Sequence, residues 1–261
     1  MLSFKRILFP IDFSPRCLQM APYVAAVAAA FESEVTLLHI CDPAGVDRDA
    51  SNKALADFAR VAFEDVYVTR ILSAGRPAES IVEHARYYGI GVIMLPTRGF
   101  SPFREDFLGS TTAALLLDTD WPVWTTAHSG EAGAEALRLP IRRIVCGLDF
   151  GSRDEHVIRT ATALACAFGA AIRLLNVMES PDETAARAAR ERMAAIQESA
   201  GTQWGIATET GPVADGIRRS ALDYDADLVV TGRGALSPRT GGARSNIGPI
   251  ILQSPCPVFS L

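Results

Sequence analysis

The chain has 261 residues, 49% of them hydrophobic and 21% charged, with a formal net charge of −5 and a pI near 5.4. At roughly 100–200 residues per domain this length suits two domains, and the apolar content supplies cores and excludes a disordered chain. The acidic balance excludes a nucleic-acid surface.

All but two of the 25 basic residues are arginine, Lys5 and Lys53 being the only lysines, so an Arg beside a phosphate-like loop would be worth notice. Five cysteines, Cys17, Cys41, Cys146, Cys166 and Cys256, contain no C-x-x-C pair, and three lie in apolar runs that read as core. They imply a reducing compartment and no zinc site. The opening "MLSFKRILFPIDFS" lacks the layout of a signal peptide, and no run reaches the roughly 18 apolar residues needed to span a bilayer. A cytoplasmic location without a membrane partner is expected.

In chain order, the first half offers apolar runs at 5–11, 35–41, 66–72, 92–96 and 122–126. Ala-rich or amphipathic segments at 16–31, 52–63, 77–88 and 110–118 separate them as predicted helices. The second half has apolar runs at 142–148, 171–177, 204–210, 227–231 and 257–261. Short, nearly continuous apolar strands alternating with helices predict parallel strands buried on both faces. The expected class is α/β: two tandem doubly wound five-stranded parallel sheets of order 3-2-1-4-5, with helices on both faces.

The halves are copies. "RILFPIDFS" at 6–14 falls over "RIVCGLDFG" at 143–151, and the same offset lays "AVAAAFESEVTLLHI" over "ALACAFGAAIRLLNV" without a gap. The offset aligns Asp12 with Asp149, Phe31 with Phe168, and Leu37-Leu38 with Leu174-Leu175. Domains are expected at 1–127 and 141–261, joined by a Gly- and Ala-rich linker at 128–140.

In such a sheet a ligand lies beyond the carboxyl ends of the strands, where the winding reverses. For order 3-2-1-4-5 the reversal falls between strands 1 and 4, so the loops "PIDFS" and "PTRGFSP" carry the chemistry in the first half, and "GLDFGS" and "TGRGALSP" in the second. Asp12 and Asp149 can accept hydrogen bonds from a ligand, or cap the next helix; Ser14 and Ser152 stand nearer the helix starts and are expected to cap instead. In "PTRGFSPFREDFLGST", Arg98 and Gly99 form the turn, and Gly109, Ser110 and Thr111 open an apolar helix whose N-terminus suits an anion, unless Ser110 serves only as its cap. Walker A, G-x-G-x-x-G, G-x-S-x-G and H-E-x-x-H motifs are absent, and His39 in "LLHI" reads as a packed residue. No nucleophile has an assigned base, so binding is indicated and catalysis is not.

Taken together, "ILFPIDFS", "VTLLHI", "AGRPAESIVEHA", and a G-x9-GS pattern before a helix and "WPVW" resemble the universal stress protein family, twice in one chain. Many of its members bind ATP through G-x2-G-x9-G-[S/T], and others lack the motif and bind no nucleotide. The resemblance implies nucleotide contacts at Asp12, Ile40, Gly99, Gly109 and Ser110, with Pro96 standing where the first motif glycine is expected. Proline there removes an N–H from the cradle. The repeat carries the same roles to Asp149, Val177, Gly232, Gly234 and Ser245. In that half the glycines stand one residue too close, Arg244 replaces the last glycine, and Gly248-Pro249 is expected to interrupt the helix entry.

The family further implies pairing of the last strands of the two domains, "WPVWTT" and "CPVFSL", within one chain, and allows a homodimer. The leading expectation is an ATP-binding stress protein that signals or protects without turnover and without a dedicated metal site. The alternatives are a nucleotide-free protein-interaction module, suggested by Pro96 and Arg244, and a slow ATPase or self-phosphorylating protein.

Overall fold

A computed structural model describes residues 4–41, 47–63, 66–99, 107–127, 138–233 and 246–261. The chain divides into two compact units, the first built from Met1–Thr126 and the second from Arg138–Leu261. Gly234, Arg244 and Ser245, and most of the expected linker, lie outside the described residues.

In the first unit the order is β1 (Arg6–Ile11), α1 (Pro15–Phe31), β2 (Glu34–Cys41), α2 (Arg48–Ala62), β3 (Val68–Ala74), α3 (Pro77–Tyr87), β4 (Val92–Leu95), α4 (Ser110–Asp118) and β5 (Val123–Thr125). In the second it is β6 (Arg143–Leu148), α5 (Asp154–Phe168), β7 (Ala171–Met178), α6 (Glu183–Ala200), β8 (Gly205–Thr210), α7 (Val213–Asp223), β9 (Leu228–Thr231), α8 (Ile247–Gln253) and β10 (Val258–Ser260). The strands of the first unit lie in the order β3-β2-β1-β4-β5 and those of the second in the order β8-β7-β6-β9-β10. All the pairings within each unit are parallel. Parallel crossovers are right-handed, so the two that run outward from β1 and the two that run back place their helices on opposite faces.

The central strands β4 and β9 are buried at every residue, as the apolar runs predicted. Outer strands differ. β3 runs two residues further than expected, to Ala74 beside Cys41, because seven register pairs with β2 hold it while its own side chains stay largely half-exposed. α2 begins four residues early, because the Asp47 carboxylate caps it by accepting from the N–H groups of Asp49 and Ala50, both at 3.0 Å.

Two helix entries also differ from expectation. Gly248 and Pro249 sit inside the first turn of α8, where backbone N–H groups have no intrahelical acceptor and a proline costs little. α5 is entered from Arg153, which leaves Ser152 outside as a non-capping turn residue.

Helix α7 comes close to β7 only because residue 216 is glycine. A Cβ there would stand 2.6 and 2.9 Å from the two methyls of Val177. Alanine favours a helix interior over glycine by about 1 kcal/mol, yet Gly216→Ala is expected to lose about 1–3 kcal/mol through overpacking. A lower urea midpoint for the second unit checks this, and a raised midpoint contradicts it.

Candidate functional site

The loop after β1 turns through Phe13, whose φ of 63° is unusual for a side chain of that size. Phe150 repeats this at φ 59° after β6, so the turn belongs to both units. The Phe13 ring lies 4.4 Å from the His39 imidazole, and His39 Nδ1 donates to the Ile11 carbonyl at 2.8 Å. His39 is thereby a structural residue at the end of β2.

The turn folds the Asp12 carboxylate back on its own chain. Asp12 Oδ1 accepts the Ser14 N–H at 3.0 Å and the Cys17 thiol at 3.2 Å. Ser14 stands at the N-cap position of α1, but its hydroxyl makes no capping bond. The expectation that Ser14 caps and frees Asp12 is corrected: the short Asp side chain captures the turn amide first. Burial, and then the Asp12 charge, push the Cys17 thiol up to about 12, so it stays protonated and remains a donor.

Gly99, just past β4, lies against the same carboxylate. A Cβ on residue 99 would collide with Asp12 Oδ2, so only glycine admits this approach. Gly109 is constrained less severely: its N–H donates to the Thr97 carbonyl at 2.9 Å, and a Cβ there would lie 3.1 Å from Arg98 Cα, a tight contact with backbone. Gly109 also takes the N-cap position of α4, which corrects the expectation that Ser110 caps; Ser110 is the first helical residue. The first intrahelical bond runs from the Ala113 N–H to the Gly109 carbonyl at 2.9 Å. The N–H groups of Ser110, Thr111 and Thr112 therefore stand in a first turn without intrahelical acceptors, at the positive end of the helix dipole.

These pieces surround one cavity of about 350 Å³. Asp12, Ile40, Arg98, Gly99, Gly109, Ser110 and Thr111, all singled out in the sequence, line it. So do Cys17, Pro10, Pro77 and Ile81, which sequence reasoning missed. Cys17 is one turn into α1 from Asp12, and that spacing was the available signal. Pro96 lines the cavity too, and its carbonyl accepts the Thr112 hydroxyl at 3.1 Å. Proline in place of glycine removes an N–H donor, and the backbone carbonyl, which either residue would supply, ties the end of β4 to α4. The cavity's size falls within the range of small-molecule sites, about 300–1,000 Å³. A second hollow touches Glu83, His84, Tyr87 and Tyr88 at the far end of α3.

The second unit is arranged differently. Asp149 Oδ1 accepts the Gly151 N–H at 2.8 Å. Val177 is packed on Gly216, and Gly232 accepts the Thr231 hydroxyl through its carbonyl at 3.2 Å. The residue under Cys17 in the repeat is Asp154, buried at 8% exposure, and burial with the Asp149 charge raises its pKa to about 6. Among the described residues no group of three or more His, Cys, Asp or Glu converges as for a metal, and no helix is long and apolar enough to cross a membrane.

The family model of the universal stress protein family matches residues 3–126 and again 140–260. The chain belongs to the universal stress protein family. Universal stress protein MJ0577 of Methanocaldococcus jannaschii is 27% identical, over 47% of this chain and 94% of its own. A putative universal stress protein of Pseudomonas aeruginosa UCBPP-PA14 superposes with a TM-score of 0.75 at 21% identity, over 98% of this chain and 92% of its own. A universal stress protein of Archaeoglobus fulgidus gives 0.73 at 21% identity, over 98% and 97%. At these identities the structural likeness is one of fold.

The contact between Gly99 and Asp12 is open to a double-mutant cycle. Gly99→Ala should cost about 1–3 kcal/mol in the wild-type background and clearly less in Asp12→Ala, since the added methyl then meets no carboxylate. Equal costs in denaturant unfolding of the two backgrounds contradict the contact. The buried thiols give a second check: Cys17, Cys41, Cys146 and Cys256 are buried and Cys166 is exposed. Iodoacetamide at pH 8 should alkylate Cys166 alone in the native chain, read as a single added mass mapped by peptide digestion.

Proposed function

We propose that the first unit binds an adenine nucleotide, ATP in particular, and that the protein acts in the stress response by coupling occupancy to signalling or protection, without turnover. One observation carries this reading: a single cavity at the sheet reversal gathers Asp12, Ile40, Gly99, Gly109, Ser110 and Thr111. The donor set fits the ligand. Ile40 supplies an apolar wall for the base, Asp12 an acceptor for amino or hydroxyl groups, and the first turn of α4 a row of N–H groups for phosphate. Glycine at 99 and 109 keeps the backbone bare where any Cβ would crowd the lining. Bound ATP would supply phosphate charge for the α4 terminus to hold, and the described residues that line the cavity include no nucleophile with a general base.

The proposal assigns one nucleotide to each chain. In the second unit Asp149 faces a second carboxylate, which disfavours an anionic ligand. A nucleotide-free interaction module is the second reading, and Pro96 favours it: the family motif expects glycine there, and proline has no N–H to offer a ligand.

Thermal unfolding with and without ATP separates the two. A ligand at 100 times its Kd adds about 2.7 kcal/mol, so millimolar ATP should raise the melting temperature by several degrees. Gly109→Leu should abolish that rise, because its side chain would enter the Thr97–Arg98 backbone. No rise at millimolar ATP, together with no adenine absorbance released on denaturation, would establish the module instead.

A further inference from the structure

Asp12 is exposed, and the two oxygens of its carboxylate are used unequally. Oδ1 takes both local donors, the Ser14 N–H at 3.0 Å and the Cys17 thiol at 3.2 Å. Oδ2, the oxygen that stands against Gly99, accepts no hydrogen bond from the described residues. An exposed aspartate exchanges rotamers freely unless something holds it, so a carboxylate that presents one chosen oxygen to a cavity has to be pinned by the other.

The thiol that pins it is itself oriented. The Ser14 hydroxyl donates to Cys17 Sγ at 3.7 Å, and the Cys17 N–H donates to the Ser14 carbonyl at 3.0 Å. With a donor already pointed at the sulfur, the S–H is left to point at Asp12. Ser14 is 1% exposed and Cys17 0%, so water competes for neither group. This also explains why the Ser14 hydroxyl makes no capping bond to α1: it is turned to the sulfur instead. Burial, and then the Asp12 charge, keep the thiol protonated and therefore a donor. On the other side of the turn, Phe13 is held at a φ of 63° with its ring against His39, so the backbone that carries Asp12 is fixed as well.

We propose that Cys17 is a positioning residue of the cavity: at the end of the Ser14–Cys17–Asp12 chain it pins Oδ1, and so presents Oδ2 as a ready acceptor for one amino or hydroxyl hydrogen of a bound nucleotide. The role rests on the nucleotide reading of this cavity. A carboxylate held in place before the ligand arrives does not have to be ordered by it, and the ligand binds more tightly for that reason. The second unit lacks the device. Asp149 Oδ1 still accepts a turn N–H, that of Gly151 at 2.8 Å, but in the repeat Gly151 and Asp154 stand under Ser14 and Cys17, so the hydroxyl and the thiol are both gone.

The test compares the full wild-type chain with Cys17→Ala, which removes the donor, and Cys17→Ser, which puts a hydroxyl donor back on the same Cβ. Three-bond NMR couplings from Asp12 Cγ to its amide nitrogen and carbonyl carbon read its χ1 directly, without ligand. Wild type and Cys17→Ser should show one rotamer, and Cys17→Ala a mixture. Titrated with ATP, Cys17→Ala should bind about 3–10-fold more weakly than wild type, and Cys17→Ser within about twofold of it. A merely structural role predicts otherwise, since a polar hydroxyl in a buried site disturbs packing at least as much as alanine does. A rotamer mixture in wild type, the same couplings in all three chains, or a serine variant that binds as weakly as the alanine one would overturn the positioning role. The couplings decide it even where wild type takes up no ATP, an outcome that sinks the nucleotide reading alone.

Discussion

The arrangement of each unit depends on one pairing: β1 lies beside β4, three crossovers further along the chain, as β6 lies beside β9. Because β1 also pairs with β2 on its other edge, the chain must wind outward first and then return across its own start. The loops after β1 and β4 therefore emerge side by side with helices leaving toward opposite faces, and a crevice opens between them. Asp12 over Gly99 is the local expression of that constraint. Two residues separated by most of a domain meet because parallel strands end on the same side.

From that meeting the rest of the first cavity follows. The Asp12 turn is fixed by the Ser14 amide and the Cys17 thiol. The return from β4 is fixed by the Gly109 amide on Thr97 and the Thr112 hydroxyl on Pro96. Both walls are thus set by hydrogen bonds within the chain, which leaves the first-turn amides of α4 as donors for a guest. The tandem repeat puts Asp154 in the second unit where Cys17 stands in the first.

The fold was legible because its signals are long-range in sequence and redundant: ten apolar runs of the right length, five in each copy, of which β4 and β9 near the sheet centre are buried throughout. Strand ends were less legible where packing does not decide them, as at β3, and the Asp47 cap moved the start of α2. The site was legible as a place, since topology put the loops together, and its glycines were marked by the turn at Gly99 and the G-x9-GS spacing to Gly109. Hydrogen-bond partners were not. Preferences for capping favoured Ser14 and Ser110, yet Ser14 holds the N-cap position of α1 without a capping bond while its N–H goes to the Asp12 carboxylate, and the N-cap position of α4 falls to Gly109.

The central claim is a nucleotide site in the first unit alone, resting on Asp12. Native mass spectrometry of the full chain equilibrated with ATP tests it most directly. The account predicts one added nucleotide mass per wild-type chain, retained in Asp149→Ala and lost in Asp12→Ala. An added mass that survives Asp12→Ala and disappears in Asp149→Ala, or no added mass on the wild-type chain, would contradict it.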